Sequence, residues 1–488
     1  MMDQAHKETE TMARVFSIDG RVFEFEVSIN EVLPLGGYVQ ISTESGNFLG
    51  QIVSEHAAAT DPGVPQINGS GIIVGEIGPD QSVSRADIAA FGAATIKQAE
   101  PEAVHSFLDR GKAQAARLKI GRARPHDGVP ATLHPAGFTR HTFMCGQSGS
   151  GKTYAMGVVL ERLLTETDLR MVVLDPNSDY VHLGGVRSES QVGIPEEAQR
   201  RTRARLADIA PRIQVFGSDA LPLRVRFGRL TVRQQGMVLG LDPLADAEEY
   251  DVARRIVEEL GSPDYGLDDL RDHAARIEEP AARLLRLRID NLGLQNLGIW
   301  AHRGEDAMGD LLSDDWRALV IDLGSLTSPQ ERSIITAGVL TALWEARRER
   351  EPLLVVVDEA HNVCPQSPRD SSQEMSTDHM IAIAGEGRKF GLYLMLATQR
   401  PQKVHENVLT QCGNLLLMKM NSLTDIRALA EAFSFVPRSL IEMSNGFGLG
   451  EGVAAGPIAN SPMLFKTGER YTPEGGADVP TTWAQNLD

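Results

Sequence analysis

The stretch CGQSGSGKTY, residues 145–154, sets Gly146, Gly151, Lys152 and Thr153 in the spacing G-x-x-x-x-G-K-T. Each residue type there has a chemical task. Glycines let backbone N–H groups turn inward around phosphate oxygens, a lysine neutralises their charge, and a threonine hydroxyl ligates Mg²⁺. The reading assigns Gly146, Ser148, Gly149, Ser150, Gly151, Lys152, Thr153 and Tyr154 to nucleotide contact, with Thr153 also on the metal. A second stretch, LLVVVDEAHNV, runs an apolar segment into Asp358 and Glu359. Asp358 suits the role of holding the Mg²⁺ shell, and Glu359 is placed to polarise an attacking water. A carboxylate beside the metal-holding aspartate favours hydrolysis over transfer to another substrate, so the two motifs together imply ATP hydrolysis with Mg²⁺.

Two more stretches could complete such a site. LYLMLATQRP ends an apolar run in Thr398, Gln399 and Arg400, and a glutamine at such an edge can orient water and sense a γ-phosphate. EGRKFG carries Arg388 and Lys389 between the second motif and this one. An arginine there could reach a neighbouring subunit's nucleotide as a finger. A surface ion pair fits the sequence equally well.

Chemistry of this kind needs strands that end together. HTFMC, RMVVLD, RALVIDL, LLVVVDE, LYLMLAT and NLLLMKM are too continuously apolar for one-faced strands and fit a parallel sheet covered on both sides. Downstream of the first motif, Ala155, Val159 and Leu163, with Met156, Leu160 and Leu164, form the i, i+4 rows of a helix whose N-terminus faces the anion. The fold class is therefore α/β. From Arg14 to about Val74 the period is two, with turn residues between runs, which predicts a small β-barrel. The alanine-rich stretch from Ser82 to about Lys119 reads as helix, and GRARPHDGVP as a domain boundary. These patterns predict a barrel over residues 1–125 and an ATPase domain over 126–488. A mostly helical insertion over 186–309 has no strand beyond a short stretch near LPLRVRF. The last segment, 450–488, reads as a hairpin or brace, or as a loose tail.

At 488 residues, 42% hydrophobic and 23% charged, the chain has the make-up of a globular protein of two or three domains. Its net charge of −18 excludes a surface that attracts nucleic acid all over, though a channel can be locally basic. Cys145, Cys364 and Cys412 are odd in number and far apart, which predicts small buried hydrophobes rather than disulfides or a metal site. MMDQAHKETETMARVF lacks the apolar core of a secretory signal, and no run approaches the roughly 18 apolar residues of a membrane span. The expectation is a cytoplasmic protein with no membrane anchor. DNA contacts are diffuse: CPQSPRDSSQEMSTDHM, with Arg369, reads as a pore loop or as ordinary flexible surface, and Arg400 and Lys403 could also touch phosphates. The arginines of RRTRAR, from Arg200, read as solvated helix faces.

Taken together, GQSGSGKT, VVVDEAHN, EGRKFGLYLMLATQRP and QCGNLLLMKMNSLTDIRAL resemble the HerA family of hexameric DNA translocases, within the HerA–FtsK group of P-loop ATPases. The likeness extends to the N-terminal strands and the insertion, and its most specific part runs from Gly387 to Pro401. It implies a RecA-like core with a mostly parallel sheet and a HAS barrel. It sets the LYLMLAT strand between the two motif strands, delivering Gln399 to the γ-phosphate, and makes Arg388 a trans-acting finger. Arg140 matches an arginine that the family places near the nucleotide, and Asp175 an acidic position after the second strand. A solvated charge and a turn cap are the plainer readings of those two. The resemblance further implies a homohexameric ring moving duplex DNA through its pore without regard to sequence, with a nuclease or anti-phage defence effector docked on the barrel. A ring that serves as a nucleotide-switched scaffold for a partner enzyme stays open as a second function, and a conjugation or partition pump as a third.

Overall fold

The computed structural model describes residues 14–28, 31, 33–58, 66–85, 87–111, 115–187 and 196–475. These fall into two compact units. One takes the chain up to residue 137 together with 149–151 and 414–469; the other takes 138–148, 152–413 and the chain from 470 on.

The first unit begins with seven strands: β1 (Arg14–Ser17), β2 (Val22–Ser28), β3 (Tyr38–Thr43), β4 (Gly46–Ala58), β5 (Gln66–Ile77), β6 (Val83–Ser84) and β7 (Phe91–Gln98). They pair antiparallel in the order β2-β1-β7-β3-β4-β5, and the β2–β5 ladder closes the ring, with β6 appended to β5. The alternating pattern points Phe23, Phe25, Ile41, Phe48 and Ile52 into one core, each burial contributing roughly 1.5–3 kcal/mol. Two close approaches demand glycine: a Cβ on Gly69 would lie 2.3 Å from the Phe25 ring, and one on Gly71 2.2 Å from Phe23.

The helix expected over Ser82–Lys119 is corrected by this barrel. β7 occupies its centre, and only α1 (Pro101–Leu108) is helical. Pairing of Ile96 and Ala94 with β3 and β1, and their burial against the barrel core, outweigh the intrinsic helix preference of alanine. The expected boundary at GRARPHDGVP is also corrected. It is the end of β8 (Leu118–Ala123) and the turn into β9 (Pro130–Leu133), with Ala123, Val129 and Ala131 buried.

The second unit carries a parallel sheet of β10 (His141–Cys145), β11 (Arg170–Asp175), β12 (Ile213–Phe216), β13 (Ala318–Asp322), β14 (Leu353–Val357) and β15 (Leu392–Thr398). The order is β12-β13-β11-β14-β15-β10, so the LYLMLAT strand does lie between the two motif strands. β12 corrects the expectation that no strand recurs in the insertion before LPLRVRF. IQVF pairs in register with Ala318–Ile321, whereas Val225 makes only an isolated bridge to Trp300. A four-residue edge strand is too short for periodicity to reveal.

The helices of this unit are α2 (Lys152–Glu166), α3 (Glu196–Ile209), α4 (Val232–Val238), α5 (Ala247–Leu260), α6 (Leu267–Ala274), α7 (Pro280–Leu292), α8 (Pro329–Ala346), α9 (Ser371–Glu386) and α10 (Glu406–Leu409), of which α5, α6 and α7 pack on one another. α9 corrects the reading of CPQSPRDSSQEMSTDHM as poor in structure. Asp370 caps the helix by accepting the Gln373 N–H, and Met375, Met380 and Ile383 are buried, leaving only residues up to 370, with Arg369 exposed, as loop. The remaining elements belong to the first unit: α11 (Leu423–Ala432), α12 (Arg438–Glu442), β17 (Glu451–Ala455), β18 (Met463–Thr467) and most of β16 (Cys412–Met418). There β16-β17-β18-β8-β9 form an antiparallel sheet, so NLLLMKM is not a wholly parallel strand. Tyr38 of the barrel hydrogen-bonds to that sheet's loops, its hydroxyl 2.7 Å from Ser461 Oγ and its N–H donating to His126. Among the described residues no helix is long and apolar enough to cross a membrane. All three cysteines are buried thiols outside any disulfide.

One buried histidine makes the second unit's stability pH-dependent. His141 Nδ1 accepts the Leu394 N–H at 2.9 Å, and Nε2 donates to Ala384 O at 3.0 Å, a pairing that needs the neutral ring. Burial pushes its pKa down to about 4, opposed by the Ala384 bond. Its stabilisation is therefore complete above pH 6.5 and lost as pH falls through about 4, a span on the order of 3 kcal/mol. Between those values the unfolding midpoint of the wild type is expected to fall more steeply than that of His141→Gln; parallel curves would contradict this.

Candidate active site

Parallel strands bring their carboxyl ends to one rim, which is where ligands bind in open α/β sheets. Cys145, Asp175, Val357 and Thr398 end four adjacent strands. β10 passes into the glycine loop, and Gly146 N–H donates to Thr398 O at 3.3 Å, fastening the loop to β15. Gly149 and Gly151 adopt φ of +75° and +87°, the left-handed region that glycine enters without strain. A Cβ on Gly149 would meet nothing within 4 Å, so its glycine serves backbone shape and leaves the space beside it open.

Lys152, the first residue of α2, is only 7% exposed, and its Nζ lies 2.5 Å from Asp358 Oδ1 and 3.4 Å from Glu359 Oε1. Burial disfavours the cation, but the two carboxylates more than offset it, so the lysine pKa is raised and the ammonium stays charged. Asp358 Oδ1 also accepts the Glu359 N–H at 2.8 Å, while its Oδ2 is buried without a hydrogen-bond partner, as is Ser150 Oγ. Leaving such atoms unpaired is costly unless a ligand engages them. An orphaned carboxylate oxygen beside a lysine and an open glycine loop fits a Mg²⁺-bound triphosphate, with Thr153 and Asp358 as the residues that would hold the ion.

Glu359 is one of few non-glycine residues with positive φ, at +45° with ψ of 50°. That conformation costs on the order of 1–3 kcal/mol and persists where the surroundings impose it. Here the surroundings are the Lys152 contact and His361, whose Nδ1 lies 3.2 Å from Glu359 Oε2 and 2.9 Å from Thr398 Oγ1. Burial opposes ionisation of Glu359, yet the close approach of the His361 ring and the charge of Lys152 outweigh it and hold the pKa below the usual carboxylate value. Gln399 follows Thr398 directly and is half-buried at the same rim. Lys152, Asp358 and Glu359 thus form one cluster, with Gln399 at the same strand-end rim.

Asp175 is fully buried, and its carboxylate accepts the N–H groups of Asp179 and Tyr180 at 3.0 and 2.8 Å, which makes it a turn cap. Burial raises its pKa to about 7 against those bonds, with Asp358 adding to the rise. Tyr154 points its hydroxyl at the chain beyond β18, where it accepts the Arg470 N–H at 2.9 Å. Sequence reading missed what meets it there. Arg470 and Glu161 are both fully buried; the Glu161 carboxylate accepts the N–H groups of Tyr471 and Thr472, and Gly157 leaves room for the arginine, since a Cβ there would lie 2.5 Å from it. Residues 470–475 therefore pack on α2 of their own chain; 476–488 lie outside the described residues. His361 was missed too. It had a signal, lying two residues beyond Glu359 in DEAHN.

Arg388 and Arg140 are not brought to this cluster. Both are exposed, Arg388 in the turn before β15 and Arg140 just before β10. Seven strand residues at about 3.3 Å each put the start of β15 about 20 Å from its catalytic end, so both arginines sit at the opposite rim. Among the described residues the Arg388 guanidinium makes no hydrogen bond or ion pair, so the surface ion pair it might have formed is absent.

The glycine loop, the lysine–carboxylate cluster and the strand order define a P-loop ATPase with a RecA-like core. The family described as helicase HerA, central domain, matches residues 118–340. The chain is 24% identical over 372 residues to the DNA double-strand break repair helicase HerA of Pyrococcus furiosus, a match covering 67% of this chain and 65% of that one. It is 22% identical over 430 residues to the protein of the same name from Sulfolobus acidocaldarius, covering 83% and 78%. It thus spans somewhat less than two thirds of the length of the first relative and more of the second. Among solved structures, VirB4 of Thermoanaerobacter pseudethanolicus superposes with a TM-score of 0.50 at 14% identity, covering 74% of this chain and 98% of that one, a likeness of fold. The chain is thus similar to the HerA central domain over residues 118–340, and to the two HerA helicases over two thirds or more of its length.

Proposed function

We propose that this chain is the subunit of a homohexameric ring that hydrolyses ATP between its copies and drives duplex DNA through the pore. The observation that carries the reading is the division of the machinery between two rims. One holds Lys152, Asp358, Glu359 and Gln399, and the other, about 20 Å away, presents Arg140 and an Arg388 whose guanidinium makes no hydrogen bond or ion pair among the described residues. A cation that cannot reach its own pocket is suited to a neighbour's, and head-to-tail contact between like subunits closes into a ring.

In this scheme Lys152 and the N–H groups from Gly149 to Thr153 bind the phosphates, while Mg²⁺, held by Thr153 and Asp358, supplies charge neutralisation when bound. Glu359, kept ionised by His361 and Lys152, orients the attacking water and takes its proton. Gln399 positions the same water, and the neighbour's Arg388 neutralises charge on the transferred phosphoryl group, with Arg140 beside it. Asp175 acts indirectly by fixing the turn behind Asp358. DNA is gripped through its phosphates, independent of sequence, by residues of the 364–370 loop and Arg400 and Lys403. Support for a DNA substrate comes from the relatives' names, and Phe16, Ile18 and Val22, exposed on the barrel, suit docking of a nuclease or defence effector in the cytoplasm.

ATPase measurements with and without duplex DNA across a salt series test the motor. Turnover is expected to rise with DNA at low salt and to lose that rise as salt increases. Partner activation by Glu359→Gln locked with ATP, without DNA stimulation of the wild type, would instead favour the switched scaffold.

A further inference from the structure

A finger is useful only where its tip is held. Arg388 and Lys389 are exposed in the turn Gly387–Phe390 between α9 and β15, while Gly387 is buried and Phe390 half-buried. Gly387 is buried so tightly that a Cβ would lie 3.0 Å from Ile383 and 3.1 Å from Leu392 O. Gly391 leaves the turn at φ +84°. His141 joins the last residues of α9 to β15 through its bonds to Ala384 and Leu394. Phe390 then leans on the end of α8: its ring meets Trp344 edge-on, at 6.1 Å between centroids and 80° between planes. Arg347 caps both rings, its guanidinium carbon 4.2 Å from the Trp344 centroid and 5.6 Å from that of Phe390, and it also donates to Trp344 O. Such stacking of a guanidinium over aromatic faces is directional and holds the rings in one orientation.

We propose that Trp344, Arg347 and Phe390 form a bracket that positions Arg388 for the neighbouring subunit's nucleotide, an inference that rests on the trans-finger reading above. The three are positioning residues, acting through the turn and not on the phosphates. Loosening the bracket leaves the chain's own pocket intact and blurs the finger by an ångström or so, a displacement that costs about a hundredfold in turnover when a group must be aligned.

The experiment compares Phe390→Ala, Phe390→Tyr, Arg347→Met and Arg388→Ala for kcat, KM and binding of a fluorescent ATP analogue. Phe390→Ala and Arg347→Met are expected to lower kcat about 10- to 100-fold with KM and analogue affinity within about threefold, and Phe390→Tyr, which keeps the ring, to turn over near the wild-type rate. Mixing Phe390→Ala with Lys152→Ala subunits is expected to recover turnover, because the first keeps a sound pocket and the second a sound finger. A wild-type kcat for Phe390→Ala alongside a collapsed Arg388→Ala would overturn the bracket and leave the finger standing. So would a Phe390→Ala loss that neither tyrosine nor mixing recovers, since that marks a damaged fold. A wild-type kcat for Arg388→Ala would overturn the finger reading itself.

Discussion

Glu359→Gln is expected to bind ATP about as well as the wild type and to hydrolyse it 10²- to 10⁴-fold more slowly. Glutamine keeps the size and the left-handed backbone of the original residue, so the loop that carries it, already strained at φ +45°, need not rearrange. What it loses is a base. In the wild type the carboxylate is held ionised against its burial by His361 and Lys152, and a neutral amide cannot take the proton of the attacking water. The ammonium of Lys152 loses the more distant of its two carboxylates and keeps Asp358 at 2.5 Å, so phosphate binding persists. Single-turnover hydrolysis beside equilibrium nucleotide binding checks both halves. A rate within threefold of wild type would remove Glu359 from the chemistry.

Arg388→Ala is expected to cost 10³-fold or more in kcat, the scale on which an arginine finger acts, with ATP affinity nearly unchanged in isolated subunits. The asymmetry follows from geometry. About 20 Å of strand separates the start of β15 from its catalytic end, so the residue is out of reach of nucleotide held by its own chain and, in the proposed ring, acts on that of the next. Lys389→Ala, one residue on and equally exposed, is expected to leave kcat within about threefold, because a lysine lacks the planar fork that engages a phosphoryl group bidentately. Measuring kcat and nucleotide affinity for both variants separates the two cations.

The candidate site was legible because each member is tied to a local pattern: a glycine loop between strand and helix, and carboxylates or an amide at the end of an apolar run. Continuous burial of strands such as LLVVV announces itself in composition. What could not be read is what depends on distant pairing. FGAATIKQ is a strand only because β1 and β3 flank it, and IQVF is one only because Ala318–Ile321 lies alongside. Arg470 looks like an ordinary charged residue of GERYTP until Glu161, Gly157 and Tyr180 are brought around it. The opposite placement of Arg388 and Lys152 is likewise a property of strand direction, invisible until the sheet is assembled.

Shared active sites are tested most directly by mixing two inactive proteins, Lys152→Ala and Arg388→Ala, in equal amounts under conditions that let subunits exchange. Each alone lacks one half of every site. In a mixed ring about a quarter of the junctions pair a sound pocket with a sound finger. ATP turnover well above the sum of the two separate proteins is the predicted result. Turnover no greater than that sum, in rings shown to contain both variants, would contradict catalysis between subunits.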